Sequence, residues 1–340
     1  MTRTPENARP PRRSTIVTLS QLAGVAPSTI TRALRGDSRI SEATRTRIRM
    51  LAQEHGYTPN ALARTLSSGR SGLYGLVLGE MSNPIYRVIM EAAAREADRV
   101  GARLLLLHVG AGEMEAKTAE ALLQYQVDGC IISSAELNSP AAEICRTHSV
   151  PLVMVNRVAR QHGCFVSCDN RNGGAHIAER LIAKGYSRLA VVHPRSASST
   201  GREREAGFTD ALLAAGLPPP LRVMGGPSWD DGYAAGLEIA DMPESERPQA
   251  VFGLSDILAM GVIDALVGRG FRIPRDMAVA GFDGLPEGAR VMYDLMTIEQ
   301  PVDLMMRRTF ELLQARLDEP GLPDEQVTLA GRLIERGSAG

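Results

Sequence analysis

A few side chains in the second half of the chain have the types and settings to hold a small polar molecule. Arg204 begins a helical stretch after the loop 195–201, Asp283 ends the apolar run 278–282, Asp256 follows the run 250–254, and Trp229 is the only tryptophan. A guanidinium and a carboxylate bracket hydroxyl groups through charge-assisted hydrogen bonds, and an indole stacks on the C–H face of a sugar ring. That set fits a polyhydroxylated ligand. Singly, each residue is equally well an ion-pair partner or a core anchor; their common position at the ends of apolar runs joins them. A different chemistry stands near the start. Between Pro27 and Leu34, Ile30, Ala33 and Leu34 form one face, leaving Ser28, Thr29, Thr31 and Arg32 outward. Short hydrogen-bonding side chains with one arginine differ from the long Lys/Glu mix of an ordinary solvated face.

Reactive chemistry finds little support. Gly110-Ala111-Gly112 follows an apolar run, but a dinucleotide fingerprint needs glycine where Glu115 stands, and an acidic turn repels pyrophosphate. No Walker-type phosphate loop occurs, since the only lysines are Lys117 and Lys184. Gly253-Leu254-Ser255-Asp256-Ile257 lacks the final glycine of a nucleophile elbow. The six histidines are scattered, none paired at a helical metal spacing, and Cys164 and Cys168 have no second Cys/His pair at zinc-finger distance. No catalytic residue, cofactor or metal is expected.

These side chains need elements to position them. The first part reads as three short helices. Thr15 caps one that ends at the turn Ala23-Gly24-Val25, with Ile16, Leu19, Leu22 and Ala23 on one face. Pro27 opens a second, which Gly36 ends. Ser41 caps a third whose stripe is Ile48, Leu51 and Ala52. This is the helix-turn-helix pattern, although spacing alone also allows a plain three-helix module. Charge favours nucleic acid: residues 1–72 hold twelve arginines against Glu6, Asp37, Glu42 and Glu54, a net +8, whereas the rest of the chain carries −9. The stretch 60–66 that follows is too short to be a stable helix by itself and should order only when something binds it.

From Leu73 the rhythm changes. Apolar runs at 74–78, 103–108, 129–133, 152–155, 189–192, 250–254 and 278–282 alternate with helical stretches such as 85–100, 173–184, 204–215 and 256–269, which means parallel sheets covered on both faces. About 270 residues exceed one such sheet, so the body divides near residue 170 into two doubly wound lobes, with the ligand cleft at the carboxyl ends of strands between them. No apolar run approaches the ~20 residues of a membrane span, and the first 14 residues show no signal-peptide core, so a cytoplasmic protein is expected.

In sequence order, the chain resembles the LacI/GalR family of bacterial transcriptional regulators from Thr15 to Ser338. The head matches in Leu22-Ala-Gly-Val25, Ser28-Thr29-Ile-Thr-Arg32-Ala-Leu34, Ile40-Ser-Glu-Ala-Thr-Arg45 and Gly56-Tyr-Thr-Pro-Asn60-Ala-Leu-Ala-Arg-Thr-Leu66. The body matches in Asn83-Pro84, Val127-Asp-Gly129, Asp169-Asn170, Arg204-Glu-Ala-Gly-Phe208, Gly281-Phe-Asp283, Thr297-Ile-Glu-Gln-Pro301 and Leu333-Ile-Glu-Arg-Gly-Ser338.

The resemblance implies a small all-α helix-turn-helix domain at 15–58; the Arg/Pro-rich stretch at 1–14 lies outside it and is expected to be a disordered arm. A hinge helix and linker follow at 59–72, then an α/β body resembling periplasmic binding proteins at 73–340, with lobe 1 about 73–169 and 300–325 and lobe 2 about 170–299 and 326–340. Thr15, Pro27, Ser28, Thr29, Thr31 and Arg32 match the DNA-binding set, and Asn60, Ala63 and Leu66 the hinge, with Leu66 the wedge that opens a central base step from the minor groove. Asn83 and Tyr86 match the first-lobe wall of the effector pocket. Arg204, Trp229, Asp256 and Asp283 match its other side, with Ser255 where the family often has asparagine. A homodimer on a near-palindromic operator is implied, without the leucine-heptad tail of tetrameric members. The implied function is a repressor of carbohydrate-utilisation genes, switched when a sugar or sugar derivative alters lobe closure and hinge order. Two other readings stand: a cytoplasmic small-molecule-binding protein without DNA activity, which leaves the +8 head without a use, or an α/β sugar-modifying enzyme.

Overall fold

The computed structural model describes residues 14–57, 70–79, 81–110, 113–133, 136–137, 139–157, 163–194 and 198–340. The chain separates into two compact units, 1–71 and 72–340. In the first, α1 (Ile16–Ala23), α2 (Pro27–Leu34) and α3 (Glu42–Glu54) enclose Leu19, Ala23, Ile30, Ala33, Ile48 and Ala52. Local chemistry sets the helix ends. Thr15 Oγ1 accepts from the Thr18 amide at 3.2 Å and Ser41 Oγ from the Thr44 amide at 3.3 Å, while Gly24 turns the chain at φ 66°. Leu22, expected inward, is 47% exposed. At about 100° per residue it lies roughly a quarter-turn from the centre of the Ile16–Leu19–Ala23 stripe, and α1 is too short to bury so wide a face.

The second unit runs β1 (Leu73–Leu78), α4 (Ile85–Arg99), β2 (Arg103–His108), β3 (Glu113–Met114), α5 (Ala116–Gln124), β4 (Gly129–Ser133), β5 (Glu136–Leu137), α6 (Ser139–Thr147), β6 (Leu152–Val155) and β7 (Cys164–Cys168). It continues through α7 (Asn170–Ala183), β8 (Leu189–Pro194), α8 (Ser199–Ala214), β9 (Leu221–Gly225), α9 (Trp229–Ala240), β10 (Ala250–Gly253), α10 (Asp256–Gly268) and β11 (Ala278–Ala280). After a 3-10 turn at Pro286–Ala289 come β12 (Thr297–Glu299), α11 (Val302–Asp318), β13 (Gln326–Leu329) and β14 (Arg332–Ile334). One parallel sheet has the order β13-β7-β6-β4-β1-β2 and a second the order β11-β10-β8-β9. The body is thus two doubly wound α/β lobes.

The lobe boundary near the C-terminus differs from expectation. Residues 326–329, placed in lobe 2 from the sequence, pair in parallel with β7 and extend the first sheet. The chain returns to the second lobe only with β14, which pairs antiparallel with β12. α11 packs on the first sheet, where Phe310 meets Tyr74 at 5.2 Å between ring centroids. At α7 and α8 the helices approach so closely that a Cβ at Gly174 would stand 2.1 Å from the Arg204 carbonyl oxygen, and one at Gly207 1.8 Å from that of Arg171. Glycine at both positions lets α8 lie against α7 and fixes where Arg204 can reach.

Candidate effector cleft and nucleic-acid interface

In the first unit the outer face of α2 is short and polar. Ser28 and Arg32 are exposed and Thr29 and Thr31 half-buried, with Pro27 at the first helical position. Thr31 Oγ1 donates to the Pro27 carbonyl at 3.1 Å, so that hydroxyl is engaged within its own helix. Ala26, at the N-cap, offers no side-chain acceptor, a setting in which first-turn amides can meet a phosphate. Several arginines of this unit serve the fold. Arg47 donates to the Ala23 carbonyl at 2.5 Å, Arg45 to that of Gly36 at 2.9 Å, and Arg39 beside Asp37 holds that carboxyl well below the usual carboxylate range. Thr15 is exposed at the cap of α1. Asn60, Ala63 and Leu66 lie outside the described residues.

In the second unit, side chains from five separated segments meet. Arg204, 4% exposed, stands inside α8 rather than at its start, because Ser198 supplies the cap by accepting from the Gly201 amide at 3.1 Å. Its Nε donates to Asn170 Oδ1 at 2.9 Å, its Nη1 to the Leu254 carbonyl at 2.7 Å and to Asp283 Oδ1 at 3.1 Å, and its Cζ lies 3.7 Å over the Phe282 ring. Asp283 follows β11 by three residues, since that strand ends at Ala280, and holds a φ of 136°. Gln300 Nε2 donates to its Oδ1 at 2.7 Å, and Asn83 Nδ2, from the first lobe, to its Oδ2 at 3.0 Å. Asn83 is itself oriented, because its Oδ1 accepts from the Ile85 amide at 2.9 Å.

Asp256 is fully buried at the start of α10. Its Oδ1 accepts from Thr297 Oγ1 and its Oδ2 from the Leu285 amide, both at 2.6 Å. Burial, and then repulsion from Asp283, push its carboxyl up to about 7. Asp283 is raised by burial, against the opposing pull of Arg204 and its other donors. Ser255 is buried at the N-cap of α10 without a side-chain capping bond. Tyr86 is buried on α4, and its hydroxyl accepts from Arg157 at 2.9 Å. A second tie between lobes joins Arg87 of α4 to Glu287 at 2.8 Å.

Trp229 does not join the polar partners of Arg204 and Asp283. Ser228 caps α9 in a reciprocal arrangement with Asp231, which leaves Trp229 at the first helical position. From there its indole stacks on Tyr233 at 5.0 Å and donates to Asp264 Oδ2 at 2.9 Å, two turns along α10 from Asp256. Other residues, unnoticed in the sequence, stand near the cluster or at strand ends. Ser133 ends β4, Asn156 follows β6 with a φ of 54°, and Gln300 follows β12. All three are buried, and Ser133 Oγ, Asn156 Oδ1 and Gln300 Oε1 have no hydrogen-bond partner among the described residues. The available signal was a polar residue directly after an apolar run, where parallel sheets place their ligands. Among the described residues no group of His, Cys, Asp or Glu could hold a metal ion, and no helix is long and apolar enough to cross a membrane.

Comparison with known proteins matches both units. Residues 15–60 match the pattern of bacterial regulatory proteins of the lacI family, and residues 178–339 that of a periplasmic binding protein-like domain. The ribose operon repressor of Escherichia coli strain K12 is 30% identical over 331 residues, which cover 96% of this chain and 100% of that protein. The transcriptional regulator CelR of Thermobifida fusca is 29% identical over 337 residues, covering 96% and 98%. Among solved structures, a CelR–cellobiose complex superposes with a TM-score of 0.70 at 28% identity, over 96% of this chain and 100% of that one. The lac repressor dimer bound to operator and an anti-inducer shares the fold, with a TM-score of 0.84 at 23% identity over 96% and 99%. The chain belongs to the lacI family of bacterial regulatory proteins, DNA-binding transcriptional regulators rather than enzymes.

Proposed function

We propose that this regulator is a cytoplasmic repressor of carbohydrate-utilisation genes whose operator affinity is switched by a neutral sugar or sugar derivative held between the lobes of the second unit. The observation that carries the reading is the set of buried polar atoms without partners, Ser133 Oγ, Asn156 Oδ1 and Gln300 Oε1, together with the Arg204–Asp283–Asn83 cluster. Each unmet buried polar group costs roughly 1–3 kcal/mol, and a polyhydroxylated molecule supplies hydroxyls that meet such groups in either direction. The ribose operon repressor and the CelR–cellobiose complex supply the ligand class. Ser255 and Asp256 complete the second-lobe side of this site, and Asn83 and Tyr86 the first-lobe wall.

On the DNA side, Pro27, Ser28, Thr29 and Arg32 of α2 enter the major groove, with Thr15 and Thr31 supporting that surface. Asn60, Ala63 and Leu66 form the hinge that orders on the operator. A homodimer presents two such heads to a near-palindromic site. Val291 and Met292, 98% and 68% exposed, support an assembly that covers apolar surface in the second unit.

The test has two stages. Selection from random DNA identifies the operator, and gel-shift titration with ribose, cellobiose and a panel of other sugars follows the switch. One sugar that shifts operator affinity at least tenfold is expected. A palindromic operator with no response to any sugar would overturn the carbohydrate reading.

A further inference from the structure

We propose that Asp256 and Asp283 share a single proton near neutral pH, carried on Asp256, so that the effector cleft is linked to pH; the regulatory meaning of this device rests on the cleft reading above. Both carboxyls are buried, Asp256 at 0% and Asp283 at 3% exposure. Among the described contacts, one guanidinium, that of Arg204, serves them. Asp283 receives Arg204, Gln300 and Asn83 as donors, a complement suited to an ionised carboxylate. Among the described residues, Asp256 receives only a hydroxyl and a backbone amide, both uncharged. Two buried negative charges against one positive charge is the arrangement in which one carboxyl keeps its proton.

The geometry also provides a place for that proton. Thr297 Oγ1 lies 2.6 Å from Asp256 Oδ1, and the same oxygen is 3.5 Å from the Ile298 carbonyl and accepts from the Gly284 amide at 3.3 Å. With the proton on Oδ1, Asp256 donates to Thr297, whose hydroxyl hydrogen turns towards Ile298. Only a hydroxyl rotates. The backbone locks the pair together, because the Asp256 amide donates to the Phe282 carbonyl at 2.7 Å and Asp283 follows directly. Gly281 keeps the acid seated, since a Cβ there would come within 2.4 Å of Oδ1.

The surrounding charges lean the same way. Asp283 faces Asp256 from the loop after β11, and Arg204 from α8. Glu203 lies beside Arg204 on α8, bonded to Asn170, and burial raises its own carboxyl. Cys168 on β7 is a buried neutral thiol, and Asp169 caps α7. Glu287 stands on the 3-10 turn next to Gly288, which lies against Asp256, and is bound to Arg87, while Glu299 beside Gly284 is bound to Arg332. Acids outnumber bases around the pair. Its output is placed to matter: Asp256 holds the Leu285 amide, and the turn that follows carries Glu287, the partner of Arg87 across the lobes.

The test follows the aspartate side-chain carbons of the full-length protein by NMR, with selective labelling and no sugar present, between about pH 5 and pH 8.5. One resonance, absent in Asp256→Asn, is expected to titrate between about pH 6 and pH 8. Thr297→Val removes a partner of both forms, but the bond to the ionised carboxylate is the stronger one, so the midpoint should move to higher pH. An Asp256 resonance flat across the range, or a midpoint that Thr297→Val leaves in place, would overturn the proposal. If Asp256→Asn does not fold, the resonance that moves in Thr297→Val identifies the acid. Failure here leaves the sugar response of operator binding untouched, and absence of a sugar response leaves the titration intact, so the two readings fail separately.

Discussion

Replacing Arg204 by alanine separates what the buried ion pair does for the fold from what it does for the ligand. The guanidinium serves Asp283, Asn170 and the Leu254 carbonyl at once, at 5% side-chain exposure against 1% for Asp283. Removing one member of such a pair strands a charge and costs about 3–5 kcal/mol. At about 2–4 °C per kcal/mol for a unit of this order of size, the melting temperature should fall by roughly 6–20 °C. Asp283 can escape part of the loss by taking a proton. Its carboxyl is already raised above the ordinary value, and without the cation it rises further. A group whose folded value lies above its unfolded one stabilises at low pH and loses that contribution as pH rises. The deficit of Arg204→Ala should therefore be smaller at pH 5 than at about pH 8. The double variant Arg204→Met with Asp283→Asn removes both charges and should regain most of the lost stability, yet remain unresponsive to the sugar that switches the wild type. Thermal unfolding and a titrated gel shift give both readouts, and operator affinity should stay near wild type throughout. A single variant melting within about 1 kcal/mol of wild type would refute the argument, as would a double variant no more stable than the single.

Arg32→Ala should relax base choice at one operator position by about 1–3 kcal/mol, read by competition among operator variants; a uniform loss over all sequences would assign Arg32 to the backbone instead. Leu66→Ala should weaken specific binding far more than non-specific binding, and equal loss of both would remove the wedge role. Gly207→Ala places a Cβ 1.8 Å from the Arg171 carbonyl, so α7 and α8 must part, at a cost of about 1–3 kcal/mol or more; unfolding with denaturant measures it, and a neutral result would mean that this contact yields freely.

The head was legible because its structure is local. Thr15, Gly24 and Ser41 act within a turn of where they stand, and α2 is named by Pro27 at one end and Gly36 just past the other. Most central strands of the body could be read for a related reason, although β7, buried throughout, does not stand among the apolar runs. β4 and β10 are buried on both faces and therefore continuous in apolar residues. Two edge strands, β9 and β13, could not, although the edge strands β2 and β11 stand among the apolar runs. β9 is largely exposed and β13 alternates between exposed and half-covered residues, and nothing in Leu221–Gly225 or Gln326–Leu329 shows that each completes a sheet by pairing with a distant strand. Trp229 illustrates a different limit: rarity marked it, but its partners Tyr233 and Asp264, set by the helix phase that the cap at Ser228 fixes, could not be read from the sequence.

The polar cluster was half-legible for a reason that bears on mechanism. Arg204 and Asp283 stood out as charges near strand ends, but Asn83 meets Asp283 across 200 positions, and Ser133 and Asn156 belong to the other sheet. The first-lobe part of the cluster meets Arg204 and Asp283 only while the lobes are together. The described side-chain ties across the cleft are modest. The Asn83 bond to a buried carboxylate is worth about 1.5–3 kcal/mol, and the partly exposed Arg87–Glu287 pair about 0–1 kcal/mol. That sum, about 1.5–4 kcal/mol, overlaps the range of a typical allosteric coupling energy, roughly 1–3 kcal/mol. Stronger ties would fix the lobes against any ligand, and weaker ones would leave closure unaffected by it. A molecule that fills the unmet valences of Ser133, Asn156 and Gln300 only when the lobes close around it needs a differential affinity of that same size to decide their arrangement.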